Sequence, residues 1–275
     1  MRTYAEMVAM EIRERTGLQA QVNTKQMPDG TERFGVTVKE TSANIAPSIY
    51  VDEMKGAGLT VEQAATEVLK LYETHKNPKV DVDWFTHFEQ VKEKLYVKML
   101  PKTFKTDVYR SAKAYGFEDL ILVPYVRAEL TPGEFGSIRV SADHIEKWGV
   151  TKREVMDTAI KNTKNGNVKV ISLMAFMTGF AGFDGYNEET SYDEPFVISN
   201  SEAVFGASAI LGKIKDIKAE NPDGFYVIPS SVHELIVLPK GINGMDEEMI
   251  TGFVHEVNSQ VVVPEERLSD HVYTF

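Results

Sequence analysis

Apolar and polar residues alternate with a helical period first and with a strand period afterwards. Apolar side chains at helical spacing predict a helix over residues 4–16, namely Tyr4, Met7, Val8 and Ile12. Strict alternation on both sides of a Pro-Asp-Gly turn then predicts a β-hairpin over 18–39. A third strand within 45–51 is expected at the sheet edge, because Pro47 has no backbone donor.

Two helices and a strand follow in the first hundred residues. Thr60 and Gln63 have the spacing of a capping box, which predicts a helix over 61–74. Asp83 is placed to cap a second helix that buries three apolar side chains, Trp84, Phe88 and Val91. Apolar residues then alternate as in a strand at Leu95, Val97 and Met99.

The second part of the chain repeats this mixture of helices and strands. We predict a helix near 105–115, followed by paired strands over 120–128 and 135–140. Capping residues indicate two further helices, one after Ser141 and one after Thr151. The last eighty residues predict further elements: strands at 196–198, 225–228, 234–238 and 272–275, and helices at 206–219 and 245–257.

Residues 164–195 differ from the rest, and we interpret them as a loop insertion that contains at most a short helix. Large apolar side chains stand among glycines and acids there, and four of them are candidate binding residues: Met177, Phe180, Phe183 and Tyr186. Long loops in compact domains are often functional, and flexible methionines suit an adaptable docking surface. The alternative is an irregular helix packed on the core.

These patterns predict an α+β protein with antiparallel sheets backed by helices. We place two subdomains at 1–100 and 101–275. The 275 residues include 43% hydrophobic side chains, which is enough for a sizeable core. No apolar run has the length of a membrane span or of a signal-peptide core, so we expect a cytoplasmic protein.

Charge and composition exclude several classes of function. The absence of cysteine excludes disulfides, thiol catalysis and cysteine-bound metals. Residues 1–100 contain 13 basic and 15 acidic side chains, so 101–275 carry −9 of the net charge of −11. This acidity disfavours direct nucleic-acid binding and suits a basic protein partner, although it also serves solubility.

Motifs for cofactor chemistry are missing from the sequence. It contains no phosphate-binding loop, dinucleotide fingerprint, HExxH or GxSxG pattern. None of the six histidines has a second histidine at metal-ligand spacing on one helix face. We therefore predict no cofactor and no metal.

One coincidence remains, because a Val-His-Glu tripeptide occurs twice, at 232–234 and at 254–256. In the predicted helix over 245–257, the apolar face comprises Met249, Ile250, Phe253, Val254 and Val257. At 100° per residue His255 points away from that face, toward water. The second tripeptide is therefore not expected to face anything buried.

The first tripeptide supplies the candidate catalytic residues. His233 and Glu234 lie at the mouth of an apolar strand, and Ser231 precedes them closely enough for a Ser–His contact. The alternative is a hairpin tip in which the hydroxyl and carboxylate groups satisfy the amides of the turn.

The C-terminal part contains a set of distinctive motifs, namely Asn200, Gly206-Ala207 and the stretches 226–234, 254–258 and 268–273. Together they resemble a domain-of-unknown-function family of Gram-positive gut bacteria, often carried on mobile or conjugative elements. The N-terminal half fits it too, so the resemblance covers most of the chain. It implies no catalytic residues. Two hypotheses stay open: a non-enzymatic binding or regulatory protein acting through its acidic C-terminal half, and a hydrolase-type enzyme using His233.

Overall fold

A computed structural model describes most of the chain. The described residues are 1–27, 30–39, 46, 48–74, 83–131, 134–178, 191–241, 244, 246–260, 262, 263 and 266–275. They form two compact units, one of residues 1–83 with 129–135 and one of residues 84–128 with 136–275.

The first unit packs two long helices and one short helix with a three-stranded sheet. Its elements are α1 (Arg2–Thr16), β1 (Gln19–Gln26), β2 (Glu32–Lys39), β3 (Ser48–Tyr50), α2 (Asp52–Gly56) and α3 (Val61–Thr74). The strands are antiparallel in the order β1-β2-β3, and Ala20 stands opposite Val38. The core comprises small and branched side chains of α1 and α3 with Val36 and Val38 of β2. The predicted hairpin and edge strand are confirmed.

The second unit begins with a four-stranded antiparallel sheet and its helices. The elements are α4 (Phe88–Val91), β4 (Leu95–Pro101), β5 (Arg110–Ser111), β6 (Leu120–Thr131), β7 (Glu134–Arg139), α5 (Ala142–Trp148) and α6 (Lys152–Asn165). The strand order is β4-β6-β5, with β7 on β6, and the last residues of β6 and the first of β7 are those that belong to the first unit. The predicted boundary after residue 100 falls at the end of β4, which pairs with β6 along its whole length.

A five-stranded antiparallel sheet completes the second unit. Its elements are β8 (Val168–Ser172), α7 (Leu173–Met177), β9 (Phe196–Asn200), α8 (Ile210–Glu220), β10 (Phe225–Ile228), β11 (Leu235–Pro239), α9 (Glu247–Gln260) and β12 (Tyr273–Thr274). The strand order is β12-β10-β11-β9-β8. One face of this sheet contributes Phe225, Val227, Leu235 and Val237 to the core of the unit. The predicted α+β class with antiparallel sheets is therefore confirmed.

Three predicted elements differ from the structure. The helix expected after Asp83 is a 3₁₀ turn over Asp83–Thr86 followed by the separate four-residue helix α4, which begins after His87. The helix expected near 105–115 is the short strand β5 followed by one 3₁₀ turn, because Arg110 and Ser111 pair with β6 and Ser111 caps the turn. The loop insertion expected over 164–195 contains β8, which pairs with β9 in full register. Val168, Lys169 and Val170 alternate as in a strand, and this signal was overlooked beside the Met- and Phe-rich residues that follow. In the described part of the chain, no helix combines the length and hydrophobicity needed to cross a bilayer.

Candidate binding cleft

A cleft of about 580 Å³ lies in the second unit, beside α9. Helix α9 forms one wall with Glu247, Thr251 and His255. The opposite wall and floor consist of Pro101, Lys102, Thr103, Asp119, Leu268, Ser269, Asp270, His271 and Val272. We refer to this feature as the α9 cleft.

The orientation of α9 decides which of its side chains face the cleft. The carboxylate of Asp246 accepts a hydrogen bond from the amide of Met249 at 2.9 Å, as an N-cap does. Ile250 and Val254 are buried, together with Val272, against the outer face of the sheet. Residues 247, 251 and 255 recur every four positions, so they share the flank that faces the cleft.

The predicted apolar face of α9 is only partly correct. Ile250 and Val254 are buried, but Met249 is 51% exposed and Phe253 is 55% exposed. The third member of the buried stripe is the polar Asn258, which is 3% exposed. The stripe at 250, 254 and 258 turns the flank with Met249 and Phe253 into solvent, which a count of apolar residues could not reveal.

His255 is exposed, as its helical phase predicts, yet it faces a partner. Its side chain is 60% exposed, and its Nδ1 lies 3.9 Å from Oδ2 of Asp270. The Nδ2 group of Asn258 donates to Oδ1 of Asp270 at 2.6 Å and to the carbonyl of Ser269 at 3.1 Å. A buried amide on α9 thus fixes the carboxylate that stands opposite His255.

The floor of the cleft depends on Asp119. Its two carboxylate oxygens accept hydrogen bonds of 2.5 Å from Ser269 Oγ and Tyr273 Oη. Burial raises the pKa of the Tyr273 phenol above its usual range, and the hydrogen bond to Asp119 adds to that effect. The phenol therefore stays a donor at neutral pH. On the α9 side, Thr274 Oγ1 donates to Glu247 at 2.7 Å.

The electrostatics of the cleft favour a cationic group. Among its described residues, three carboxylates line it, those of Asp119, Glu247 and Asp270, with one ammonium group, that of Lys102. A positive ligand would gain Coulomb energy from this cluster of like charges. Among the described residues, no group of three or more histidine and carboxylate side chains is arranged to hold a metal ion.

The candidate catalytic residues lie elsewhere, in the turn from β10 to β11. Ser231 Oγ donates to Glu234 Oε1 at 2.7 Å and accepts from the amide of His233 at 2.9 Å. The amide of Ser231 donates to the carbonyl of Glu234 at 3.3 Å. These bonds close a tight turn, which is the arrangement expected of the structural alternative.

Both ring nitrogens of His233 face other protein groups. Nδ1 accepts from the amide of Phe205 at 3.1 Å, and Nε2 lies 3.5 Å from Glu266 Oε1. The side chain is 23% exposed, and its ring packs on that of Phe205. The Ser231 hydroxyl bonds to the Glu234 carboxylate and to the backbone amide of His233. None of the described contacts joins this hydroxyl to the imidazole ring of His233. The hydrolase hypothesis stays a prediction.

Sequence reasoning missed the residues that hold His233 in place. Phe205 has a left-handed φ of 50°, and Gly206 passes under the main chain of His233. A Cβ on Gly206 would lie 2.6 Å from both the His233 carbonyl and the Asn200 amide. The Gly206-Ala207 motif was the available signal, since a glycine often marks a close approach of two backbones.

A buried lysine also lies against Phe205. The Nζ group of Lys98 is 3.5 Å from the centre of the Phe205 ring and 4.3 Å from that of Tyr125, and it donates to Ser137 Oγ at 2.9 Å. Burial raises the pKa of Tyr125, and likewise that of Tyr96, to about 12. Lys98 alternates with Val97 and Met99 in β4, a pattern that is typical of a lysine facing solvent. In the structure its side chain is nevertheless buried.

Of the candidate binding residues, Met177 is the last residue of α7 and is 75% exposed. Phe180, Phe183 and Tyr186 lie outside the described residues. Their predicted role in binding stays a prediction.

Two sequence motifs that are separate along the chain meet in the cleft. Residues 254–258 supply His255 and Asn258, and residues 268–273 supply Ser269, Asp270 and Tyr273. No curated protein and no solved structure matches the chain. A family model described as a family of unknown function, DUF5688, matches residues 1–275, and the chain therefore belongs to the DUF5688 family.

Proposed function

We propose that this protein is a non-enzymatic binding protein that holds a basic protein partner through the α9 cleft. The observation that carries the proposal is the set of three carboxylates lining the cleft opposite one lysine. The partner would insert a lysine or arginine side chain, whose cation replaces solvent between Asp270 and Glu247. Charge complementarity of this kind speeds association and selects against acidic competitors.

The geometry supports binding because the acceptors are held in place before a ligand arrives. Asn258 fixes one oxygen of Asp270, and Thr274 fixes one oxygen of Glu247. In these contacts Oε1 of Glu247 accepts no bond, and Oδ2 of Asp270 faces only the exposed ring of His255 at 3.9 Å, so a cation can approach both carboxylates. Preorganised acceptors lower the entropic cost of binding.

A role in a bacterial mobile element forms part of the same proposal. It is supported only by the resemblance of the C-terminal motifs, and a regulator of such an element would act through protein contacts of this kind. The genes flanking those of other family members test it, since genes for conjugation or integration should be enriched there.

The cleft is tested by neutralising its carboxylates without changing their shape. The double variant Glu247→Gln with Asp270→Asn should weaken binding of the partner that the wild type captures from its host lysate by about fivefold, as expected for two solvent-exposed charge pairs. A matched control is Glu146→Gln with Asp216→Asn, which removes the same charge from exposed positions on α5 and α8. Titration of the purified partner measures both affinities.

The two variants separate specific binding from general acidity. Equal losses in both would mean that only net charge matters, and an unchanged affinity in the cleft variant would refute the proposal. The hydrolase hypothesis has its own test, because Ser231→Ala would abolish any ester or amide hydrolysis that the wild type shows.

A further inference from the structure

The solvent side of α9 carries an unusual combination of residues, which we call the outer face. It comprises Glu248, Met249, Gly252, Phe253 and Glu256. At 100° per residue, Gly252 lies opposite the buried stripe of Ile250 and Val254. The face adjoins the flank that lines the α9 cleft, since Thr251 and His255 are its neighbours in sequence.

Contacts among the described residues do not explain why a glycine stands at position 252. A glycine inside a helix lowers its stability relative to alanine, because the unfolded glycine has more conformations to lose. A Cβ added at Gly252 would meet no heavy atom of the described residues within 4 Å. Its φ lies outside the left-handed region that favours glycine. The helix would therefore be more stable with alanine, so contacts within the chain give no reason for the glycine.

The side chains around Gly252 indicate what can approach it. Met249 and Phe253 are both more than half exposed and lie one turn apart, so they form a continuous apolar ridge. From Asp246 to Gln260 the chain has four carboxylates and no lysine or arginine. Such a surface repels anionic membranes, nucleic acid and a second acidic copy of the chain, and it attracts a basic segment.

We propose that the outer face of α9 docks a basic amphipathic helix of the partner protein. The apolar side chains of that helix pack on Met249 and Phe253, and its lysine or arginine side chains pair with Glu248. Gly252 lets the two helix backbones approach more closely than a side chain would allow. The inference rests on the proposed function, because it specifies the structure of the basic partner, and the cleft receives a cation from the same partner.

The experiment uses designed peptides as probes. One has leucine on one helical face and lysine on the other, a second replaces each lysine by glutamate, and a third has the composition of the first in scrambled order. Fluorescence anisotropy of the labelled peptides with the full chain measures their affinities. The lysine peptide should bind the wild type, and the glutamate and scrambled peptides should bind at least tenfold more weakly.

Gly252→Ala is the decisive variant, because two expected effects have opposite signs. It should raise the melting temperature by about 2 °C, as a better helix former does. It should also weaken binding of the lysine peptide about tenfold, so the lost affinity does not come from unfolding. Met249→Ser with Phe253→Ser keeps every charge and should weaken binding similarly, whereas Met174→Ser, at a still more exposed methionine of α7, should not.

Three outcomes would overturn the inference. They are unchanged affinity in Gly252→Ala, equal binding of the scrambled peptide, and self-association of the wild type that Phe253→Ser abolishes. If the cleft variant Glu247→Gln with Asp270→Asn loses the partner while the outer-face variants retain it, the proposed function stands and the docking helix fails. If both sets retain it, both proposals fail.

Discussion

The same Val-His-Glu tripeptide occupies two different environments in this protein. His233 is mostly buried, and its ring nitrogens face the amide of Phe205 and the carboxylate of Glu266. His255 is mostly exposed and stands across the α9 cleft from Asp270. The turn at 231–234 is built from contacts within the fold, whereas the cleft presents groups that a ligand can still reach.

The comparison teaches that the position of a histidine within its element matters more than its immediate neighbours in sequence. In the turn, Glu234 accepts the hydroxyl hydrogen of Ser231 and helps to close the backbone. In α9, the carboxylate that stands opposite the histidine is Asp270, which comes from a separate segment. Local spacing therefore indicated the structural site, and the functional candidate required a contact between distant residues.

The strongest test of this contrast is Gly206→Ala. The added Cβ would collide with backbone atoms of Asn200, the last residue of β9, and of His233 in the turn before β11. We expect a loss of about 3 kcal/mol in the free energy of unfolding, measured by urea denaturation. A loss below about 1 kcal/mol would show that the backbone adapts and that the turn is less rigid than its contacts indicate.

Replacing the two histidines should give unequal effects. His233→Ala leaves the Phe205 amide without its acceptor and should cost about 2 kcal/mol of stability. His233→Asn keeps an acceptor near the position of Nδ1 and should recover about half of that loss. His255→Ala should change stability by less than about 0.5 kcal/mol, because its side chain is exposed.

Urea denaturation of the three variants measures these differences. Similar losses in His233→Ala and His255→Ala would contradict the division into a structural and an accessible histidine. If His233→Asn is no better than alanine, the Phe205 amide bond is not what the ring contributes.

Alkaline pH should lower the stability of the protein through two buried tyrosines, Tyr125 and Tyr273. The expected effect of each single tyrosine is the smallest of those predicted for these variants. A tyrosine ionises near pH 10 in the unfolded chain, whereas the pKa of Tyr125, whose ring lies against Lys98, is raised to about 12, and that of Tyr273, which donates to Asp119 of the cleft, is also raised. The stability that these phenols contribute is complete below about pH 10 and is lost as the pH rises through their folded pKa values.

Urea denaturation at a series of pH values between about 9 and 11 measures this loss. Tyr125→Phe and Tyr273→Phe should each make stability less dependent on pH in this range. An unchanged dependence in Tyr273→Phe would mean that this phenol ionises in the folded protein as it does in the unfolded chain.

Much of the fold was predictable from the sequence, because periodicity and capping report local structure. The helix that begins after Thr151 is confirmed with its capping contact, and the strands at 225–228 and 235–239 pair as expected. The prediction of a helix near 105–115 was wrong, because strand pairing to β6 outweighed helical propensity there. The cleft was not predictable, since neither His255 nor Asp270 indicates its partner in the sequence.

The sequence by itself determined the α+β class, the order of most elements and the acidity of the C-terminal part. These properties depend on spacing and composition, which neighbouring residues specify. The tertiary structure alone decided that Asn258 is buried, that Met249 and Phe253 are exposed, and that Asp270 faces His255. The rotation of α9 on the sheet sets all three, and it follows from packing between segments that are far apart in the chain.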